Sequence, residues 1–332
     1  MGWLLPLGAG RVVAWQVAVL AVLATGFRVT PVSVTVMALA GLLVAMTSVR
    51  VGGLCGYQWA VVFARFVWRR RRSPAKAPTP VHTVVPRLQV FQHEDRVGNR
   101  TGIACVGEDT IAVVRVAPAA HPDPALLVSL LHKAVSRTDY PVSGARLVVW
   151  AVPANPWPVR VHWLALRYRA ADAPWAALAR GGGDVGCRKA VAGAAQRLVS
   201  DLAGAGCASA VLDLPELCQE LMVALGVSSD AQPVEAWHDW SAGPVHQSCF
   251  TARAPADAVT LLGRCVPEAM FTATAYSLSR DTPHATATVR LAVASNQRFW
   301  LTPRKAAAKV GIRLLAADGR QAEGVLATLP LA

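Results

Sequence analysis

Two charge-free apolar stretches constrain this chain more than any other feature: Val12 to Phe27 lies between Arg11 and Arg28, and Val29 to Val49 lies between Arg28 and Arg50. The first 72 residues contain eight arginines and no acidic residue, and they close on Arg69-Arg70-Arg71-Arg72. Long uncharged runs bounded by cations suit a bilayer interior and its headgroup edges, so the pattern predicts a transmembrane hairpin with a basic collar, spanning about 12–27 and 29–49. At about 1.5 Å per residue, the second stretch reaches about 31 Å, against a hydrocarbon thickness of about 30 Å. The first reaches only about 24 Å, so Arg11 and Arg28 must snorkel or the segment Met1 to Gly10 must add a turn. Gly26, Thr30 and Pro31 mark the connection, with Thr30 expected to cap the second helix and Pro31 to occupy its first position.

Arg11, the apolar run behind it and the small residues around Val22 to Ala24 also imitate a secretory signal. Cleavage there would leave the C-terminus on the same side. Positive flanks stay inside, and the outer loop offers only Arg28 against Arg50, Arg65 and Arg69 to Arg72, so the rest of the chain is expected in the cytoplasm. A third apolar stretch, Val51 to Ala64, opens on Gly52-Gly53 and is too short for an easy crossing. Tyr57, Trp59, Phe66 and Trp68 stand beside its arginines, a mixture that suits headgroups. The expectation is that the second helix continues out of the membrane and lies on the inner face. There Arg50, Arg65, Arg69, Arg70, Arg71 and Arg72 orient it and bind anionic phospholipid. The divisions are then 1–50 for the hairpin, 51–80 for the interfacial helix, collar and Pro-rich linker, and 81–332 for a cytoplasmic domain.

The chain carries 33 basic and 20 acidic residues for a net charge of +13. Eight of the excess positive charges belong to the membrane segment, leaving the soluble part at +5. One of its basic groups, Arg160, Arg167 and Arg169, lies in an alternating apolar segment, and an excess this mild argues against a nucleic-acid stripe. The seven cysteines, Cys55, Cys105, Cys187, Cys207, Cys218, Cys249 and Cys265, form no C-x-x-C pair and no zinc spacing with histidine. They read as small buried hydrophobes in a reducing compartment.

Ser73 to Pro80 is too poor in large apolar groups to pack and reads as the linker. Beyond it, alternation predicts a strand over Val84 to Val90, and a hairpin of Ile103 to Val106 and Thr110 to Val116 around Gly107, Glu108 and Asp109. Asp123-Pro124 predicts an N-cap followed by a helix through Leu127, Leu130, Leu131 and Ala134. Strands follow at Arg146 to Val152 and Val159 to Tyr168, helices at Cys187 to Ala203 and Leu214 to Leu225, and a strand at Ala208 to Leu212. A strand near Cys249 to Arg253, a helix over Pro255 to Cys265, and strands at Phe271 to Leu278 and Ala285 to Ala294 repeat the earlier order, which suggests two related halves. Asp318-Gly319 predicts a hairpin in the tail from Ile312 to Leu331. The fold class is therefore a membrane-anchored α/β protein, a transmembrane hairpin followed by a mixed α/β domain.

Catalytic signatures are scarce. Gly181-Gly182-Gly183-Asp184-Val185-Gly186 fits G-x-G-x-x-G, yet Pro174 to Arg180 reads as helix or loop where a dinucleotide site needs a strand, so a surface connection is the better reading. There is no phosphate-binding G-x-x-x-x-G-K-[ST], no H-E-x-x-H, no G-x-S-x-G and no pair of acidic residues at i and i+2. His93-Glu94-Asp95-Arg96 beside Gly98-Asn99 reads as a solvated loop, and His121-Pro122-Asp123 as capping. Trp150, Trp157, Trp163 and Trp175 read as core or interface anchors.

A two-helix hairpin, an arginine collar, a Pro-rich linker and an α/β domain opening on Asp95-Arg96-x-Gly98-Asn99-Arg100-x-Gly102 together resemble EccE, a membrane component of the type VII (ESX) secretion systems of mycobacteria and related actinobacteria. The resemblance implies a non-enzymatic structural subunit of an inner-membrane complex with EccB, EccC and EccD, in which EccC supplies the ATPase. It implies a multi-pass protein at the periphery of that complex, with no cofactor, no metal and no catalytic residue. It also implies a soluble domain similar in fold to nucleotide-sugar transferases. The alternative is therefore a membrane-anchored glycosyltransferase-like enzyme acting on a nucleotide-sugar or lipid-linked substrate at the cytoplasmic face.

Overall fold

The computed structural model describes residues 9–26, 30–51, 54–72, 79–118, 122–252, 256–282, 285–294 and 312–331. It divides into two compact units, Met1–Ser73 and Pro74–Ala332.

In the first unit, α1 (Ala9–Ala24) and α2 (Pro31–Ser48) form an antiparallel pair, in which Trp15 Nε1, in the first half of α1, donates to Thr47 Oγ1 near the end of α2 at 3.1 Å. Thr30 caps α2 as the sequence predicts. Its hydroxyl accepts from Ser33 N at 3.2 Å, Ser33 Oγ accepts from Thr30 N at 2.8 Å, and Pro31 fills the first turn where no N–H is missed. Both helices end short of the charge-free stretches. Among the described residues, only α2 is long and apolar enough by length and composition to cross a membrane, whereas α1 is shorter.

The expected continuation of the second helix does not occur. Val49 turns extended, the chain reverses through β1 (Arg50–Val51) and β2 (Leu54–Cys55), and a separate α3 (Gly56–Arg72) begins. A Cβ at Gly56 would come within 2.9 Å of Met46 Sδ, so the absence of a side chain lets α3 start against α2. Val62 and Phe66, one helical turn apart, are buried, as is Cys55, while Tyr57 and Trp68 are exposed.

The second unit is a mixed α/β fold on one large antiparallel sheet. Its elements run α4 (Pro80–Val84), β3 (Leu88–Glu94), β4 (Arg100–Val106), β5 (Asp109–Val116), α5 (Pro124–Ser136), β6 (Gly144–Val152), β7 (Val159–Arg169), α6 (Pro174–Leu178) and α7 (Gly183–Gly204). After these come β8 (Ser209–Val211), α8 (Leu214–Leu225), β9 (Pro233–Glu235), β10 (Trp240–Ala242), β11 (Val245–Ala252), α9 (Ala256–Leu262), β12 (Phe271–Ser279), β13 (Thr286–Ala294), β14 (Leu314–Ala316) and the final helix, α10 (Gln321–Ala327). The main path is β3-β4-β5-β7-β6-β12-β13-β11-β10-β9, with β8 joined to β5 and β14 to β11.

Helices cover both faces of the central strands, so neighbouring residues of one strand enter different cores. Leu147 and Val149 of β6 pack with Leu127 and Leu131 of α5 and Val191 and Leu198 of α7. Val148 packs on the other face with Trp163, Leu217 and Leu221 of α8, and Val325 of α10. The runs β5-α5-β6-β7 and β11-α9-β12-β13 are wired alike: β5 pairs with β7 and β11 with β13, and the helix sits in the first connection of each. They meet where β6 pairs antiparallel with β12, Val148 opposite Ala275.

Several expectations change. Pro80 initiates α4, so the strand expected at Val84 begins only at Leu88. The tail is no hairpin. Gly319 takes a left-handed φ of 70°, and Gln321 Oε1 accepts from Cys249 N in β11 at 2.8 Å, which draws the following residues into α10. Short strands β9 and β10 escape an alternation test because they are three residues each. Phe27 to Val29, Gly52-Gly53 and the linker from 73 to 78 lie outside the described residues.

Candidate functional site: a cation-lined cleft beside α7

The stretch Asp95 to Gly102 leads from the edge strand β3 into β4. Asp95 Oδ1 accepts from Val97 N at 2.8 Å and Asn99 N at 2.9 Å, and Asp95 Oδ2 accepts from Asn99 Nδ2 at 2.8 Å. These bonds hold its carboxyl below the usual range, the Asn99 side chain foremost. Gly98 supplies a φ of 90°. Gly102 N donates to Leu212 O at 2.7 Å, and a Cβ at Gly102 would collide with the Asp213 carbonyl, so this glycine admits the start of α8. Arg96 and Arg100 are exposed, Arg100 lying 3.8 Å from Glu94. His93 and Glu94 lie at the end of β3 rather than in a loop.

This turn forms one wall of a cleft of about 810 Å3, through His93, Glu94, Asp95, Arg96 and Thr101. The facing wall is Ala179-Arg180-Gly181 and one side of α7, where Lys189, Ala192, Gly193 and Gln196 share a face by their three- and four-residue spacing. Arg180 is held in place: Nη1 donates to Ala176 O at 2.9 Å, and the guanidinium lies 5.5 Å from the Tyr140 ring centre. Arg188, next along α7, sits 4.9 Å over the Phe91 ring. Burial, then Lys189 and Arg188, push the His93 imidazole below its ordinary value, while Asp95 opposes them.

The glycine run follows α6, not a strand, so the dinucleotide geometry is absent. Its last glycine is structural, because a Cβ at Gly186 would meet the Ala177 carbonyl where α6 packs on α7.

Residues 158–252, from β7 through β11, match the EccE family, described as a type VII ESX secretion system translocon component. Over this segment the chain is similar to the EccE family. No curated protein matches it. The matched segment includes the α7 wall of the cleft but not the Asp95–Gly102 turn.

Elsewhere in this chain several charged groups are engaged structurally. Arg169 Nε donates to Asp109 Oδ1 at 2.9 Å and Arg167 lies 3.9 Å from the same carboxylate, while Arg160 Nη2 donates to Gly263 O at 2.9 Å. Asp123 caps α5 by accepting from Ala125 N at 3.0 Å, and His121 lies outside the described residues. Among the described residues no three His, Cys, Asp or Glu side chains group to hold a metal. The cysteines are free thiols, with Cys55, Cys207 and Cys249 buried and Cys218 exposed. Trp163 is buried and Trp150 stacks 5.5 Å from Phe271, but Trp157 and Trp175 are 80% and 79% exposed. In the other unit, Arg50 lies in β1, Arg65, Arg69, Arg70, Arg71 and Arg72 lie along α3, and Trp59 is half-buried.

Sequence reasoning missed three buried charges. Glu220 accepts from Trp163 Nε1 at 2.9 Å and from Arg115 Nη1. Arg290 and Arg146 each donate to the carbonyls that end a helix, α8 and α10 respectively. Their signal is a lone charge inside an apolar strand or helix face, as in Thr286 to Ala294 with Arg290 at its middle.

Proposed function

We propose that this protein is a non-enzymatic structural subunit of the inner-membrane type VII secretion complex, anchored through α1 and α2, with residues 81–332 in the cytoplasm. The family match carries this reading. The apolar α2 and the arginine excess on one flank support the topology. Here α1 acts as a second span, and α3 lies at the inner face with Tyr57, Trp59, Phe66 and Trp68 among headgroups. Arg50, Arg65 and Arg69 to Arg72 attract anionic phospholipid. Tethering raises the local concentration of the soluble unit near EccB-, EccC- and EccD-type subunits, so modest contacts suffice for assembly. The matched wiring of β5-α5-β6-β7 and β11-α9-β12-β13 supports reading the sheet as two related halves.

Mild detergent extraction of the full chain, affinity capture and mass identification test the assignment. Recovery of the translocon subunits in stoichiometric amounts is expected. Recovery of the protein alone under conditions that keep the other subunits together would remove it. Turnover of a nucleotide-sugar by the purified protein would favour the enzyme instead.

A further inference from the structure

The cleft between the β3–β4 turn and α7 contains more positive charge than its own residues neutralise. Asp95 is occupied by the Val97 and Asn99 amides and the Asn99 side chain, and Glu94 faces Arg100. Among the described residues, nothing hydrogen-bonds or pairs with the Lys189 ammonium or the Arg96 guanidinium. Thr101, only 2% exposed, borders the cleft with its hydroxyl also unbonded among them. Arg180 differs, since Tyr140 and the Ala176 carbonyl hold its guanidinium in advance of any ligand.

We propose that this cleft is a binding site for a small phosphate-bearing ligand, held between Lys189, Arg180 and Arg96, with Thr101 and Gln196 as neutral hydrogen-bonding partners. Three cations around one concavity favour an anion of at least two charges and several oxygens over a single carboxylate, since each cation then finds its own acceptor. A volume of about 810 Å3 falls within the range of small-ligand pockets. Burial first, and then Lys189 and Arg188, lower the affinity of His93 for protons while Asp95 opposes them, so part of that shift reports the same positive field. An anion in the cleft offsets the Lys189 and Arg188 part of that effect and raises the imidazole's proton affinity. The site is independent of the assembly role, and failure of subunit capture leaves it untouched.

The test uses the full chain in neutral detergent, titrated with pyrophosphate in a calorimeter and by thermal midpoint, with chloride adjusted to constant ionic strength. Saturable binding is expected. Lys189→Gln and Arg180→Gln should each weaken it by about tenfold or more, while Arg264→Gln, outside the cleft, leaves it unchanged. As a second measurement on the unmodified protein, pyrophosphate should shift the His93 imidazole titration to higher pH by NMR. No saturable binding overturns the proposal, as does equal binding by the Lys189 and Arg180 variants. Tighter binding of a hexaglutamate peptide than of pyrophosphate would make the cleft a dock for acidic protein segments and would overturn it too.

Discussion

Arg146 Nε donates to Ser277 Oγ at 2.8 Å across the pairing of β6 with β12, the seam between the two similarly wired runs. The same guanidinium turns its Nη1 to the carbonyls of Leu326 and Leu329, both at 3.2 Å, and of Leu331. It thereby ties the end of α10 to the sheet centre. Burial, followed by repulsion from Arg167, lowers its pKa to about 10. Arg290 does the corresponding job for α8: Nη1 donates to Leu225 O at 3.2 Å and Gln247 Oε1 at 2.8 Å, and Nη2 to Ala224 O. Helix C-termini present unsatisfied carbonyls and a partial negative charge, so a buried cation is stable there without a carboxylate.

Replacing Arg146 with Leu orphans those carbonyls. The expected loss is about 2–4 kcal/mol of stability. Arg146→Lys recovers only part of it, because an ammonium cannot reproduce the planar fork. Denaturant midpoints of the purified variants check this, and an unchanged midpoint for the Leu variant would contradict the bracing role.

Glu220→Leu leaves the Trp163 indole N–H without an acceptor in the core and removes the partner of Arg115. A loss of about 2–3 kcal/mol is expected, with Glu220→Gln losing less because its amide oxygen still accepts from the indole. Tryptophan fluorescence during unfolding reads both effects.

The Asp95–Gly102 turn permits a comparison between two glycines. Gly102→Ala meets the Asp213 carbonyl and should cost about 1–3 kcal/mol through displacement of α8. Gly98→Ala meets no atom within 4 Å and bears only the strain of φ 90°, about 1 kcal/mol. Thermal midpoints in that order support a structural role for Gly102. The reverse order would refute it.

Burial pushes the Cys249 thiol up to about 12 from 9.0, with Arg290 opposing and Glu235 adding to the shift. The native chain therefore retains a proton that the unfolded chain loses, so this residue makes stability fall as pH rises from 9.0 toward 12. Cys249→Ala should remove that part of the slope. At pH 9, about one Cys249 thiol in a thousand is a thiolate. Exposed Cys218 should accordingly alkylate well before Cys249 in a mass-resolved time course.

Neutralising Arg69 to Arg72 with Gln should weaken retention of the protein in the captured translocon and its binding to vesicles rich in anionic lipid. Native gels of solubilised membranes check the first outcome. An intact complex in normal yield would show that these arginines are dispensable for assembly.

Local chemistry makes much of the fold legible in the order of residues. Thr30-Pro31 and Asp123-Pro124 cap helices because both signals act within one turn. Gly107-Glu108 turns β4 into β5 where the dipeptide lies. Helix α4 escaped because the strand-like alternation of Val84 to Val90 began inside a proline-initiated turn. The candidate cleft was legible only in pieces. His93 to Arg96 and the glycine run appear as separate loops in sequence, and neither names Lys189, which one face of α7 carries into the cleft.

The amino-acid sequence by itself determined an apolar N-terminal segment flanked by arginine, the positions of most helices and strands, and the absence of familiar catalytic signatures, since each depends on neighbours within a few residues. Only the tertiary structure decided that β6 meets β12, that Arg146 reaches a partner 131 residues away, and that three cations share one concavity. The reason is physical. Caps and alternation are set by bonds and solvent exposure along the chain, whereas strand order and buried charge are set by which distant surfaces exclude water together.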